Sequence, residues 1–169
     1  MTGRRTGTAI ATLLGLGHLR PAPGTWGSAA GVLTGIGLYR IGHVWALIAG
    51  TVLVTLIGFL AVRAATAGDA DPDRSEIIID EVAGQWLTLC FPAMGLWLAG
   101  VPATLFPWPG WVAGFLAFRL FDIWKPGPVG RADRRGDAWG VMADDLIAGL
   151  MAGVVVVILA GLWHGVLAR

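Results

Sequence analysis

Apolar residues in this chain do not alternate with polar ones; they run on unbroken. Residues 41–62 contain no charge, nor do residues 82–118 or 146–167. At 1.5 Å of rise per residue, about 20 residues cross the roughly 30 Å hydrocarbon core of a bilayer. The first and third runs each suit one span. The middle run is long enough for two, and Gly100, Pro102, Pro107, Pro109 and Gly110 supply the break between them. The pattern predicts a short N-terminal helix over residues 8–16, a loop over 17–25, and inserted helices over about 26–39, 42–65, 77–99, 110–124 and 142–167. Gly27, Gly31 and Gly35 recur at four-residue spacing, which lets membrane helices approach closely. Pro92 predicts a kink in the third inserted helix. The expected fold is all-α: one domain over residues 1–169, a polytopic membrane helical bundle of about five inserted helices plus the short N-terminal helix.

Composition agrees, with 56% hydrophobic and 14% charged residues and a mean hydropathy of +0.71. Soluble domains carry about 25% charged residues. The single cysteine, Cys90, excludes an intrachain disulfide. The short Gly-rich stretch after Arg4 and Arg5 does not read as a cleaved signal peptide. A net charge of +1 gives no reason to expect a nucleic-acid partner.

Where the charges fall matters more than their sum. If the chain is followed through its five predicted crossings, all 11 acidic residues map to one membrane face, and of the 12 basic residues only Arg40 and Arg169 map to the other. Run lengths alone set that tracing, so the segregation of acids checks it independently. The basic excess assigns the charged face to the cytoplasm.

Three acidic groups stand at the ends of apolar helices. The first is Ile79-Asp80-Glu81-Val82-Ala83-Gly84. The second is Phe118-Arg119-Leu120-Phe121-Asp122-Ile123-Trp124-Lys125-Pro126, whose three charged residues are i, i+3 neighbours along a helix. The third is Gly140-Val141-Met142-Ala143-Asp144-Asp145-Leu146-Ile147-Ala148-Gly149. Carboxylates near bilayer depth are costly unless paired or coordinated, and they mark functional sites. Arg119 and Lys125 do not neutralise five of them. A hard divalent cation would, and magnesium takes oxygen ligands and bridges to phosphate. Asp80, Glu81, Asp122, Asp144 and Asp145 are therefore candidate metal ligands, with Asp80, Glu81, Asp122 and Asp145 candidates for activating water. The plainer reading pairs these groups with each other and with lipid headgroups. Gly24 and Thr25, at a helix start on the same face, offer N–H groups and a hydroxyl to an anion, although an ordinary Pro-Gly turn with a Thr cap has the same sequence. Lys125 is the only lysine, a compact charge suited to phosphate. Asp133-Arg134 is either a further phosphate or metal contact or part of a basic loop on anionic lipid.

The three helix-end blocks, with Ala22-Pro23-Gly24-Thr25-Trp26-Gly27-Ser28 and Asp133-Arg134, resemble the signature blocks of the phosphatidylglycerophosphatase A family, in the family's order. The stretch Gly136-Asp137-Ala138-Trp139-Gly140 departs from it in carrying less glycine. The resemblance implies an all-helical, magnesium-dependent bacterial enzyme of the inner membrane. Such an enzyme removes the terminal phosphate of phosphatidylglycerophosphate, a phospholipid held in the bilayer, at the cytoplasmic headgroup level. Arg119, Lys125 and Arg134 would hold phosphate, with Gly24 and Thr25. No Asp-x-Asp-x-Thr or Cys-x5-Arg motif is present, and His18, His43 and His164 lack the setting of a histidine nucleophile. That leaves metal-activated water.

A metal-dependent lipid phosphotransferase would share the acid-rich face, but should show Asp-Gly-x2-Ala-Arg followed by Gly-x3-Asp-x3-Asp, which Asp144-Asp145 lacks. A cation transporter would place carboxylates near mid-bilayer and on both faces. The topology has a direct check once Cys90 is replaced. Cysteines at Asp71 and Asp137 should resist a membrane-impermeant thiol reagent in intact cells, and one at Trp108 should react. Labelling at 71 or 137 in sealed cells would overturn the shared face.

Overall fold

The computed structural model describes residues 2–69 and 73–164. Among these the chain is all-helical, with no strand: α1 (Thr2–Ala11), a 3-10 turn (Leu16–His18), α2 (Pro23–Ala65), α3 (Ile79–Leu98), α4 (Trp108–Trp124), α5 (Pro128–Asp133) and α6 (Ala138–Leu162). Asp71 and Arg169 lie outside the described residues, as does the predicted end of the last helix at 167. Two helices, α2 and α6, are long and apolar enough to cross a membrane, with mean hydropathies of 2.3 and 2.4.

The first two predicted crossings are one continuous element with a break inside it. Gly42 (φ −142°) and His43 (φ 59°) leave helical geometry and re-aim the chain without a loop. Glycine beside a residue in the left-handed region makes so abrupt a turn possible. α3, by contrast, continues as helix through Pro92. The N-terminal helix lies earlier than predicted, ending at Ala11, because Leu13, Leu14 and Gly15 adopt positive φ and close the chain into a turn. Thr12 fastens that turn by accepting the Gly15 N–H at 3.2 Å. α6 starts earlier than predicted because Asp137 caps it, its side chain accepting from the Gly140 N–H at 2.7 Å.

α3 is the central helix. α2 packs along one side of it, α6 along another, and α4 closes the bundle against both α3 and α6. The Gly27–Gly31–Gly35 stripe of α2 faces α3: a methyl added at these positions would stand 2.9 Å from Ile78 Cβ, 3.0 Å from Gln85 Cβ and 2.9 Å from Leu89 Cδ1 respectively. Positions advance together along the two helices, so the first half of α2 runs parallel to α3. The same holds for α3 and α6, where Gly84 meets Gly149 and Phe91 meets Gly153. α4 is antiparallel, pairing Gly114 with Thr88 and Gly110 with Pro92. The starts of α2, α3 and α6 and the end of α4 therefore gather at one end of the bundle.

At Gly84 and Gly149 the two backbones are in contact. A Cβ on Gly84 would lie 2.5 Å from the Asp145 carbonyl oxygen, and one on Gly149 would run into the Gly84 carbonyl. Thr88 ties the crossing, its hydroxyl donating to the carbonyls of Gly84 (3.0 Å) and Gly149 (3.2 Å). Gly84→Val should therefore force α3 and α6 apart, lowering the melting temperature in detergent and broadening the size-exclusion peak. Gly95→Ala meets nothing within 4 Å and should hold or gain stability, by up to about 0.5–1 kcal/mol. A Gly84→Val protein that melts with the wild type would remove the crossing as the organising contact.

Candidate active site

The charged residues of three helices meet one turn above the Gly84–Gly149 crossing. Asp80 and Glu81 occupy the first turn of α3, where unpaired N–H groups and the helix dipole favour negative charge. Asp80 Oδ1 accepts the Glu81 N–H at 3.1 Å. Asp144 and Asp145 come from α6, four and five residues before Gly149. The parallel crossing thus lays the two acidic pairs side by side. One oxygen each from Asp80, Glu81 and Asp145 lies within 4.8 Å of the others. Asp80 and Asp145 are only 7% and 3% exposed, so water does little to screen their repulsion. Glu81 Oε2 is buried and has no hydrogen-bond partner. Three converging, poorly screened carboxylates with an unpartnered buried oxygen suit a hard divalent cation, which oxygen donors of this kind select.

Asp122, in the last turn of α4, adjoins Asp145 and is bound by the Arg119 guanidinium one turn back. Arg119 Nη1 also donates to the buried Ser28 hydroxyl of α2 at 3.4 Å. Gly24, in the first turn of α2, makes this approach possible. A Cβ there would strike Glu81 Oε1 and stand 3.1 Å from Arg119 Nη1. Thr25 is half-buried beside it.

Lys125 departs from the predicted face of α4. It is the C-cap, with left-handed backbone (φ 49°, ψ 51°), and so turns away from Asp122. Its ammonium bonds instead to Asp133 of α5 and, at 2.9 Å, to Asp144 Oδ2. Burial alone would lower its pKa; the hydrogen bonds and charges of Asp133 and Asp144 more than offset this and hold it above the ordinary lysine value. It is charged at any physiological pH. Arg119 thus serves the α2–α3 side of the carboxylates and Lys125 the α5–α6 side. Asp144 is engaged by Lys125 and stands next to the group of three, while Arg134 is exposed at the end of α5 with no ion pair to the cluster.

Sequence reasoning missed α5, which Pro128 opens at its first position and which carries Asp133 to Lys125. It also gave no role to Ser28 or to Gln85, one turn below Glu81. Gln85 has a signal in hindsight: it is the only glutamine in a chain without asparagine, and it sits in an otherwise apolar run.

Matches with known proteins fit this site. The family model described as Phosphatidylglycerophosphatase A covers residues 9–160. The chain belongs to the phosphatidylglycerophosphatase A family. A phosphatidylglycerophosphatase A of Haemophilus influenzae is 34% identical over 87% of this chain and 84% of its own length. One of Escherichia coli K12 is 32% identical over 54% of this chain and 47% of its own. A Bacteroides thetaiotaomicron protein named "Putative phosphatidylinositol-3-phosphatase" is 31% identical over 88% of this chain and 90% of its own. No solved structure matches. Membership of the phosphatidylglycerophosphatase A family makes the chain a phosphatase, and every motif that carried the resemblance contributes a residue to the cluster or its border.

If the three converging carboxylates are the working groups, Glu81→Gln and Asp145→Asn should each lower phosphatase turnover by several orders of magnitude. Melting temperature should hold or rise as repulsion is relieved. Asp69→Asn breaks only the outlying pairs of Asp69 with Arg4 and Arg74 and should be close to neutral, since such surface pairs contribute little. Equal losses in all three variants would show that the cluster has no special role.

Proposed function

We propose that the chain is a magnesium-dependent phosphomonoesterase that hydrolyses phosphatidylglycerophosphate to phosphatidylglycerol and phosphate. The observation that carries this is the convergence of Asp80, Glu81 and Asp145 between two cations, Arg119 and Lys125, at one end of an apolar bundle. The 34% identical relative named phosphatidylglycerophosphatase A supports the substrate. α2, broken at Gly42–His43, would cross the membrane twice, and α3, α4 and α6 once each, giving five inserted helices in the bacterial inner membrane. Large apolar side chains exposed around the bundle, among them Leu33, Leu53, Leu56, Leu116 and Ile158, favour a lipid surround. With ten basic residues on the site's face, that face is cytoplasmic.

Asp80, Glu81 and Asp145 hold the cation, with Asp144 and Asp122 beside them. Magnesium, when bound, supplies a Lewis acid and makes hydroxide available near neutral pH. A carboxylate of the Asp122–Asp145 pair takes the proton of the attacking water. Arg119 and Lys125 bind the phosphoryl oxygens and stabilise the charge that grows as the ester bond breaks. The Gly24 N–H and the Thr25 hydroxyl, at the start of α2, add donors aided by the helix dipole; the Thr25 N–H itself is taken by the Ala22 carbonyl. Arg134, exposed at the rim, meets the incoming headgroup. The acyl chains stay in the bilayer beside the helices, so the lipid need not be extracted.

The Bacteroides relative's name favours one rival substrate, a phosphatidylinositol 3-phosphate. Phosphate release from the two lipids, in detergent with magnesium or with a chelator, separates the readings. Faster release from phosphatidylglycerophosphate, lost on chelation, is expected. Preference for the inositol lipid would move the substrate, and no release from either would overturn the proposal. Arg119→Met and Lys125→Met should each cost on the order of 10²–10³ in turnover while the magnesium requirement stays nearly constant. Recovery of activity when Asp133→Asn is added to Lys125→Met would return Lys125 to a structural role.

A further inference from the structure

Gln85 is fully buried on α3, one helical turn below Glu81, and neither its Nε2 nor its Oε1 has a hydrogen-bond partner. Its side chain fills a gap that two glycines leave. A methyl on Gly31 of α2 would stand 3.0 Å from Gln85 Cβ, and one on Gly114 of α4 would stand 4.0 Å from Nε2. The amide therefore lies in the crevice between α2, α3 and α4, on the side of α3 that carries Glu81 toward Gly24 and Arg119.

A buried, unpaired amide destabilises a fold, and an apolar side chain of the same size would pack there without that cost. Nothing in the packing of the bundle calls for glutamine. The turn above it, however, holds the complementary atom: Glu81 Oε2, an acceptor that is also buried and unpartnered. Side chains at i and i+4 are neighbours on a helix surface.

We propose that Gln85 is a positioning residue for Glu81, its carboxamide Nε2 donating to Glu81 Oε2, directly or through one water. That bond would fix the rotation of the Glu81 carboxylate, whose Oε1 lies against Gly24, and so hold its ligand oxygen in place beside Asp80 and Asp145. The inference rests on the metal-binding reading of the carboxylate cluster. Donors of this kind that orient a metal's ligands typically contribute 10–100-fold to its affinity. Gln85 touches neither substrate nor cation in this scheme; it acts through Glu81.

The test is magnesium binding to metal-free protein in detergent, read as the rise in melting temperature with magnesium concentration and, independently, by manganese titration followed by electron paramagnetic resonance. Gln85→Met and Gln85→Leu keep the apolar bulk and remove the amide. Both should hold or raise the melting temperature of the metal-free protein and shift the magnesium midpoint upward 10–100-fold. An unchanged midpoint in either folded variant overturns the positioning role. So does collapse of both variants, because the amide would then be structural. A wild-type protein that shows no response to either metal would instead overturn the metal reading itself, and the inference with it.

Discussion

The close approach of α3 and α6 at Gly84 and Gly149 is the constraint on which the site depends. Carboxylates repel one another, and no sequence of side chains alone would bring Asp80, Glu81 and Asp145 within 4.8 Å. Backbone contact between two parallel helices does so, because each helix carries its acidic pair about one turn above its glycine. Helices in a membrane gain little from apolar contact with each other, since lipid is equally apolar; close packing of small residues and interhelical hydrogen bonds are what remain. Both occur here, in the glycine pair and in Thr88 donating across to the Gly149 carbonyl. The crossing can thus offset repulsion that would otherwise splay the helix ends.

Helix direction does the rest of the electrostatic work. α2, α3 and α6 all begin at the charged end, so the positive ends of three helix dipoles lie there, favouring both the carboxylates and any phosphate drawn to them. α4 runs the other way and contributes its cations from its last turn and its C-cap. The result is an anion-tolerant floor with Arg119 and Lys125 on two sides. A phosphate ester entering such a site meets positive charge around the rim and, with a divalent cation in place, at the centre.

Much of this was legible in the chain itself. Unbroken apolar runs gave the helices, and the acidic blocks at their ends gave the residues of the cluster, because charge at the border of an apolar run is rare enough to carry information. The Gly27–Gly31–Gly35 spacing gave the α2 face that meets α3. What stayed hidden depended on backbone conformation or on partners distant in sequence. The i, i+3 spacing put Lys125 on the face of Asp122, yet its left-handed backbone sends it to Asp133 and Asp144. The 3-10 turn and the early end of α1 follow from positive φ at leucines, residues that do not advertise it. α5 is six residues long, too short to show a period. Ser28 looks like an incidental polar residue until α4 brings Arg119 beside it, and Gln85 does so until α2 and α4 bury it.

Several of the places where local rules fail gather around the carboxylates. Lys125 holds a backbone conformation that suits glycine. Gln85 buries an amide without a partner, Arg119 Nε and Glu81 Oε2 do the same, and carboxylates crowd within reach of each other. Each feature opposes folding; elsewhere in the bundle the exceptions are scattered, as in the positive φ of Leu13, Leu14 and His43 and the unpartnered Tyr39 hydroxyl. Strain of this kind persists only where the surrounding structure over-determines it, and it gathers where a protein binds or reacts. Glycine-mediated packing below the site supplies that surround: it fixes the helices so firmly by their backbones that the polar end is free to be arranged for a ligand instead of for stability.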